Sequence, residues 1–182
     1  VLQTGYLDFI RHIDPEFADD ILRTEDITPN SLGSELVGVQ PSKSGSDIQG
    51  ILSAIKEKKI KGLYLVEDDI VEAFPEFENA IAGLELLIVH STNHNKSTAL
   101  ADLIFPAATY AEKNGTVVNV CGIVQRIRPA VSVVEQDRAL DGMSMSRLDK
   151  FGTEWDRWAS GKKINSLPTW KILTSVARAM GS

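Results

Sequence analysis

The 182-residue sequence has a single cysteine, Cys121. One thiol cannot close an internal disulfide, nor can it alone hold an iron-sulfur cluster or a structural zinc. Stability must come from an apolar core, and a reducing, cytoplasmic setting is expected. Long apolar runs are missing too. Stretches such as Leu86 to Val89 fall far short of the roughly 20 residues that cross a bilayer, so membrane contact is expected only indirectly. Basic stripes are also lacking: 19 Lys and Arg stand against 25 Asp and Glu, for a net charge of -6. No segment is suited to track a phosphate backbone, which argues against a nucleic-acid partner. The glycines form neither a P-loop nor a GxGxxG pattern. The chain opens Val-Leu-Gln-Thr-Gly, with no initiator Met and no leader-like basic and apolar regions. It is expected to be a piece of a longer protein.

What is present is the composition of an ordinary globular domain, 43% apolar and 24% charged. Tyr6, Phe9, Ile10, Ile13, Phe17, Ile21 and Leu22 recur at spacings near three and four and predict a helical lead-in over residues 1–27, with Asp14 as a cap and Pro15 in a first turn. Pro29 to Gly38 and Pro41 to Gly45 have the composition of a surface loop. Ser46 and Gln49 look like a capping box before a helix carrying Ile48, Ile51, Leu52 and Ile55, which closes in Lys56, Lys58 and Lys59.

Short apolar runs then alternate with helix. Gly62 to Val66 reads as a strand, Phe77, Ala80 and Ile81 as a helix stopped at Gly83, and Leu84 to Val89 and Ala101 to Phe105 as further strands. This alternation predicts an α/β fold with an open, mainly parallel sheet and helices on both faces, since doubly buried strands need apolar residues on both sides. Val117, Val118 and Val120, followed by Ile123 to Val134, predict extended structure around Gly122 and Pro129, a hairpin or a meander. Residues 135–168 read as an irregular arm in which Phe151, Trp155 and Trp158 could pack a short helix. Thr169 to Met180 reads as a terminal helix burying Trp170, Leu173, Val176, Ala177 and Met180. The expected division is a lead-in (1–27), an α/β core (28–134), and an arm with terminal helix packed on the core (135–182).

Several residues carry possible chemistry. His90 and His94 have the i, i+4 spacing of paired metal ligands, but they follow a strand and lack a nearby third ligand, so hydrogen bonding at the strand end is the favoured role and no metal is expected. Glu67, Asp68 and Asp69 lie just past the first strand, where α/β sheets place ligand-binding groups and where carboxylates can hold a hard cation or ribose hydroxyls. The favoured reading is a solvated loop whose acids start the next helix. Cys121 is read as a small buried hydrophobe rather than a nucleophile. The tryptophans are read as packing residues.

The segment Ala101 to Arg126, ADLIFPAATYAEKNGTVVNVCGIVQR, resembles the signature of the molybdopterin oxidoreductase superfamily through Asp102, Pro106, Ala107, Glu112, Gly115, Thr116, Asn119, Gly122, Gln125 and Arg126. Asn30 to Pro41, Ile60 to Val66 and the closing Trp-Lys-Ile-Leu follow in family order. The resemblance implies the rear part of the family's α/β core, whose loops in active relatives help hold a molybdopterin guanine dinucleotide. Two departures stand out. Glu67-Asp68-Asp69-Ile70 replaces a glycine-bearing loop, and Asn119-Val120-Cys121-Gly122-Ile123 replaces a stretch written Asn-Thr-Glu-Gly-Arg in relatives. Three carboxylates would repel a pyrophosphate.

The resemblance is strongest to the branch that kept this fold without the cofactor, the large iron-sulfur subunit of NADH-quinone oxidoreductase. It implies a structural domain with no chemistry of its own and a degenerate pterin site whose vestigial residues are Asp68, Asp69, His90, Asn119 and Gln125. No cofactor is expected in this chain, and 2Fe-2S and 4Fe-4S clusters are expected in its parent. Expected partners are the other subunits of a respiratory NADH dehydrogenase, in a peripheral arm on the cytoplasmic side of the bacterial inner membrane. An apolar face exposed by truncation would allow a homodimer of the fragment. Two alternatives stay open: the pterin-binding domain of an active molybdopterin oxidoreductase such as a formate dehydrogenase, and a non-catalytic small-molecule binding module.

Overall fold

The computed structural model describes residues 5–130 and 167–181. Two compact units divide the chain. One comprises Val1–Phe105 with Thr116–Arg126, the other Pro106–Gly115 with Ile127–Ser182.

In the first unit, helix and strand alternate as their apolar spacing predicts. Helix α1 (Ser31–Leu36) is followed by α2 (Ile48–Lys56), strand β1 (Gly62–Val66), the short helices α3 (Ile70–Ala73) and α4 (Phe77–Ile81), β2 (Leu86–Ser91), α5 (Lys96–Ala99) and β3 (Leu103–Pro106). The three strands form one sheet in the order β1-β2-β3. Strands β1 and β2 run parallel, in register from Gly62 opposite Leu86 to Val66 opposite His90. The core gathers Ile51, Leu52 and Ile55 of α2, Ile70 and Val71 of α3, Phe77 and Ile81 of α4, and Leu87 and Val89 of β2. Phe77 and Val89 are fully buried, and emptying a site like Phe77 costs about 3–5 kcal/mol.

Burial on both faces is a property of β2 alone. Leu63, Tyr64 and Leu65 of β1 are half-buried, and Leu103 and Ile104 of β3 are exposed. Strand β2 also begins two residues later than its apolar run, because Leu84 belongs to the turn that closes α4, donating its N–H to the Ile81 carbonyl at 3.0 Å.

Three local expectations are corrected. The segment 5–28 forms turns and an isolated antiparallel bridge between Ile13 and Asp26 instead of a helix. Its aspartates compete for the backbone: Asp19 accepts the N–H groups of Ile21, Leu22 and Arg23, Asp14 that of Glu16, and Asp26 that of Thr28. Such local bonds offer the chain an alternative to helix. Second, α2 is capped by Asp47, which accepts the Gly50 N–H at 2.9 Å. Ser46 is buried and bonds instead to the Lys43 backbone. Third, the presumed loop from Pro29 contains α1. Asn30 precedes it in left-handed backbone (φ 66°), and a Cβ on Gly33 would collide with the Asn30 side chain.

Strands β4 (Gly115–Val118) and β5 (Val124–Ile127) pair as the expected hairpin. Gly122 turns it with φ 78°, backbone that only glycine adopts freely. Asn119 closes the turn, its side-chain oxygen accepting the N–H groups of Cys121 and Ile123.

In the second unit, Ala107 forms a parallel bridge with Leu167, and helix α6 (Thr169–Ala179) follows Pro168 and ends before Gly181. Thr169 and Ile172 are buried, and Val176 and Ala177 of the expected face are half-buried, whereas its Trp170, Leu173 and Met180 are exposed, a partial correction to that face. Spacings of three and four fitted two adjacent stripes, and the one carrying Ile172 turned in. The Trp170 indole N–H donates to the Asn114 carbonyl at 3.2 Å. The expected helix with Phe151, Trp155 and Trp158 lies outside the described residues. Among the described residues, no helix is long and apolar enough to cross a membrane.

Candidate functional site

Parallel strands deliver their loops to one end of the sheet, and there β1 runs into Glu67-Asp68-Asp69. Glu67 takes left-handed backbone (φ 57°) while its N–H donates to the His90 carbonyl at 3.0 Å. That conformation is costly for a residue other than glycine. Asp68 accepts the Asp69 N–H at 2.8 Å, and its other oxygen lies 3.4 Å from His12 Nε2.

Asp69 is the hub of this end. As the N-cap of α3 it accepts the Glu72 N–H at 3.2 Å. The same carboxylate reaches the start of α5, accepting the Lys96 N–H at 2.9 Å, the Ser97 N–H at 3.1 Å and the Ser97 hydroxyl at 2.5 Å. Ser97 in turn accepts the Val71 N–H, and Asn95 takes the Thr98 N–H in a reciprocal capping box. Burial alone would raise the Asp69 pKa. The bonds from Ser97, Lys96 and Glu72 outweigh it and hold the group below the usual carboxylate range.

His90 is completely buried in β2, where Tyr64 and Phe105 each place a ring centroid 5.1 Å from its own. One residue from each strand thus joins a row of rings across the sheet. His90 Nε2 shares a 2.6 Å hydrogen bond with the Tyr64 hydroxyl, while Nδ1 is buried without a partner among the described residues. Burial lowers the His90 pKa, opposed by the charge of Glu67. The imidazole is therefore neutral at pH 7.

The remaining sequence candidates are not drawn into this cluster. His94 is exposed, Asn119 is committed to the hairpin turn, and Gln125 is exposed on β5. Cys121 is exposed, correcting its reading as a buried hydrophobe: the tip of a two-stranded hairpin has nothing to bury it. Among the described residues no group of three or more His, Cys, Asp or Glu side chains is placed to hold a metal ion. Sequence reading missed Ser97, Asn95 and Tyr64. The Asn95-x-x-Thr98 spacing was a usable capping signal. Tyr64 required the strand register.

A family model for molybdopterin oxidoreductase matches residues 28–139, more than half of the chain. The chain belongs to the molybdopterin oxidoreductase family. Similar proteins include the NADPH-Fe(3+) oxidoreductase subunit alpha of Geobacter sulfurreducens, 38% identical over 95 residues, which are 50% of this chain and 11% of that protein. An NADH-quinone oxidoreductase subunit of Rhizobium meliloti is 32% identical over 114 residues, 61% of this chain and 13% of that protein. A formate dehydrogenase subunit alpha of Methanocaldococcus jannaschii is 37% identical over 78 residues, 41% of this chain and 12% of that protein. The chain thus spans about an eighth of the length of these relatives.

Family membership makes the signature residues legible as framework. Asp102 accepts the Leu87 N–H at 2.7 Å. Glu112 accepts the Thr109 N–H at 3.0 Å and donates its own to the Thr109 carbonyl. Asn30 accepts the Val118 N–H at 2.7 Å. Each satisfies a backbone group.

A pyrophosphate-bearing pterin cofactor does not fit the residues that follow β1 and β2. Phosphates are held by free backbone N–H groups at such helix starts, and those of Lys96 and Ser97 already bond to a carboxylate of the protein itself. Two further acids, Glu67 and Asp68, adjoin it.

Proposed function

We propose that this chain is a structural domain of the large iron-sulfur subunit of NADH-quinone oxidoreductase, the respiratory complex that passes electrons from NADH to quinone, and that its pterin site is degenerate. The observation that carries this reading is the Asp69 carboxylate seated on the Lys96 and Ser97 amides, where a functional site would leave donors free for an anion. The similarity to the NADH-quinone oxidoreductase subunit of Rhizobium meliloti supports it. Under this reading residues 28–134 are the α/β core and 135–182 its arm and terminal helix. The parent protein carries 2Fe-2S and 4Fe-4S clusters outside this chain and docks with other subunits in a peripheral arm on the cytoplasmic side of the inner membrane.

Elemental analysis of the full-length parent purified from its host tests this. Iron and sulfide without molybdenum, tungsten or extractable pterin is the expected result, and stoichiometric molybdenum or tungsten with pterin overturns it.

A second reading is an active molybdopterin oxidoreductase domain, favoured by the similarity to a formate dehydrogenase subunit alpha. It requires Asp69 to release the α5 amides on cofactor binding, and the same metal analysis separates the two. A small-molecule module has less support, because the His90 ring is wholly inside the protein.

A further inference from the structure

Among the described residues, the segment 5–29 forms no helix and only an isolated bridge, yet it is tied down at several separate points. Tyr6 and Ile10 pack against the apolar core. Asp8 turns its Oδ2 to the Ile48 N–H at 2.9 Å, at the first turn of α2, while its Oδ1 accepts the Phe9 N–H at 2.8 Å. The helix is thereby capped by two aspartates, Asp47 immediately before it and Asp8 from 40 residues upstream. Arg11 pairs with Glu35 of α1. The His12 N–H donates to the Thr28 hydroxyl at 2.7 Å, and its ring meets Asp68 at 3.4 Å. A chain that could have been a helix instead runs from the start of α2 to the loop after β1.

We propose that residues 6–12 are a built-in strap tied across the β1 end of the sheet, anchored by Asp8 on α2 and latched by His12 on Asp68. The inference rests on the reading above that this strand end takes no cofactor, and adds a second restraint to it: Asp69 fills the donors, and the strap ties down Asp68 beside it. Tyr6 and Ile10 hold the segment to the core through apolar burial, and Asp8 fixes its course from α2. His12 and Asp68 set where the strap ends.

Hydrogen–deuterium exchange on the protein tests the strap. Asp8→Ala combined with His12→Ala is expected to quicken exchange at the Asp68–Val71 amides at least fivefold, with the Leu87–Val89 amides of β2 unchanged as a folding control. Should the double variant not fold, His12→Ala alone, at a half-exposed side chain, is expected to quicken the same amides about twofold. Wild-type rates at Asp68–Val71 in a folded variant overturn the strap. Titration with inorganic pyrophosphate keeps the two readings apart. Binding by the variant alone supports the strap and overturns the filled-site reading, binding by the wild type overturns the strap, and binding by neither, with quickened exchange, supports both.

Discussion

Asp102 grips Leu87 at two points. Its carboxylate accepts the Leu87 N–H at 2.7 Å, and its own N–H donates to the Leu87 carbonyl at 3.0 Å. The side chain extends the ladder by one bond just before β3 begins and fixes the start of the most buried strand. Asp102→Ala is expected to destabilise by about 1–2 kcal/mol, since it leaves the amide of a buried residue without its charged acceptor. Asp102→Asn keeps an acceptor oxygen and should lose about half as much. Urea denaturation of both variants checks the ordering, and equal losses would contradict it.

Asp69→Ala removes an N-cap and the tie between α3 and α5. A loss of about 2 kcal/mol is expected, from one cap and the bonds to Ser97 and Lys96. Because the folded-state pKa of Asp69 lies below its unfolded value, its contribution is fully present above the unfolded value, near 4, and disappears as pH falls through the lower folded value. The variant should therefore differ from wild type at pH 6 and converge with it in strong acid. An undiminished difference at pH 2 would contradict the assignment.

His90 gives the opposite edge of the pH profile. Its pKa is lowered by burial, and an imidazolium there would carry an Nδ1–H with no acceptor among the described residues. Stability is full above the unfolded histidine value, near 6.5, and falls below it as the unfolded chain takes up a proton that the folded chain refuses. His90→Phe, which keeps a ring between Tyr64 and Phe105, is expected to flatten the dependence between pH 7 and 5. Urea midpoints at those two values measure it, and an unchanged slope would assign the proton elsewhere.

Asn30 does two things at once, holding left-handed backbone and accepting the Val118 N–H. Asn30→Gly removes only the acceptor and should cost about 1–3 kcal/mol. Asn30→Ala adds the penalty for a Cβ in that conformation, about 1–2 kcal/mol more. Thermal unfolding of the pair separates the two effects, and identical midpoints would show that the backbone conformation relaxes.

The legible parts of the fold were those whose information is local and periodic. Ile51, Leu52 and Ile55 announced α2, the run GLYLV announced β1, and Val117 to Val124 around Gly122 announced the hairpin. The lead-in misled because its apolar spacing suits a helix while Asp14, Asp19 and Asp26 satisfy nearby amides in turns. Terminal helix α6 was found but its face only in part, since Trp170 and Ile172 belong to neighbouring stripes and only tertiary packing chooses between them. At the candidate site, the acids after β1 were visible and Asp69 could be read as a helix starter. Its bonds to Ser97, 28 residues away, depend on the crossing of two loops, and the contact between Tyr64 and His90 depends on parallel register. Neither leaves a mark at any single position.

Strand β1 has β2 on one side and, among the described residues, no strand on the other. Its apolar run is bracketed by Lys56, Lys58, Lys59 and Lys61 before it and by Glu67, Asp68 and Asp69 after it. A second copy adding to that open edge in parallel register would set lysine against lysine at one end and carboxylate against carboxylate at the other, and like charges placed opposite each other oppose pairing. Antiparallel addition would bring unlike charges together. The charges that close α2 and open α3 thus also carry a sense of direction, opposing parallel addition of an identical strand and not antiparallel addition.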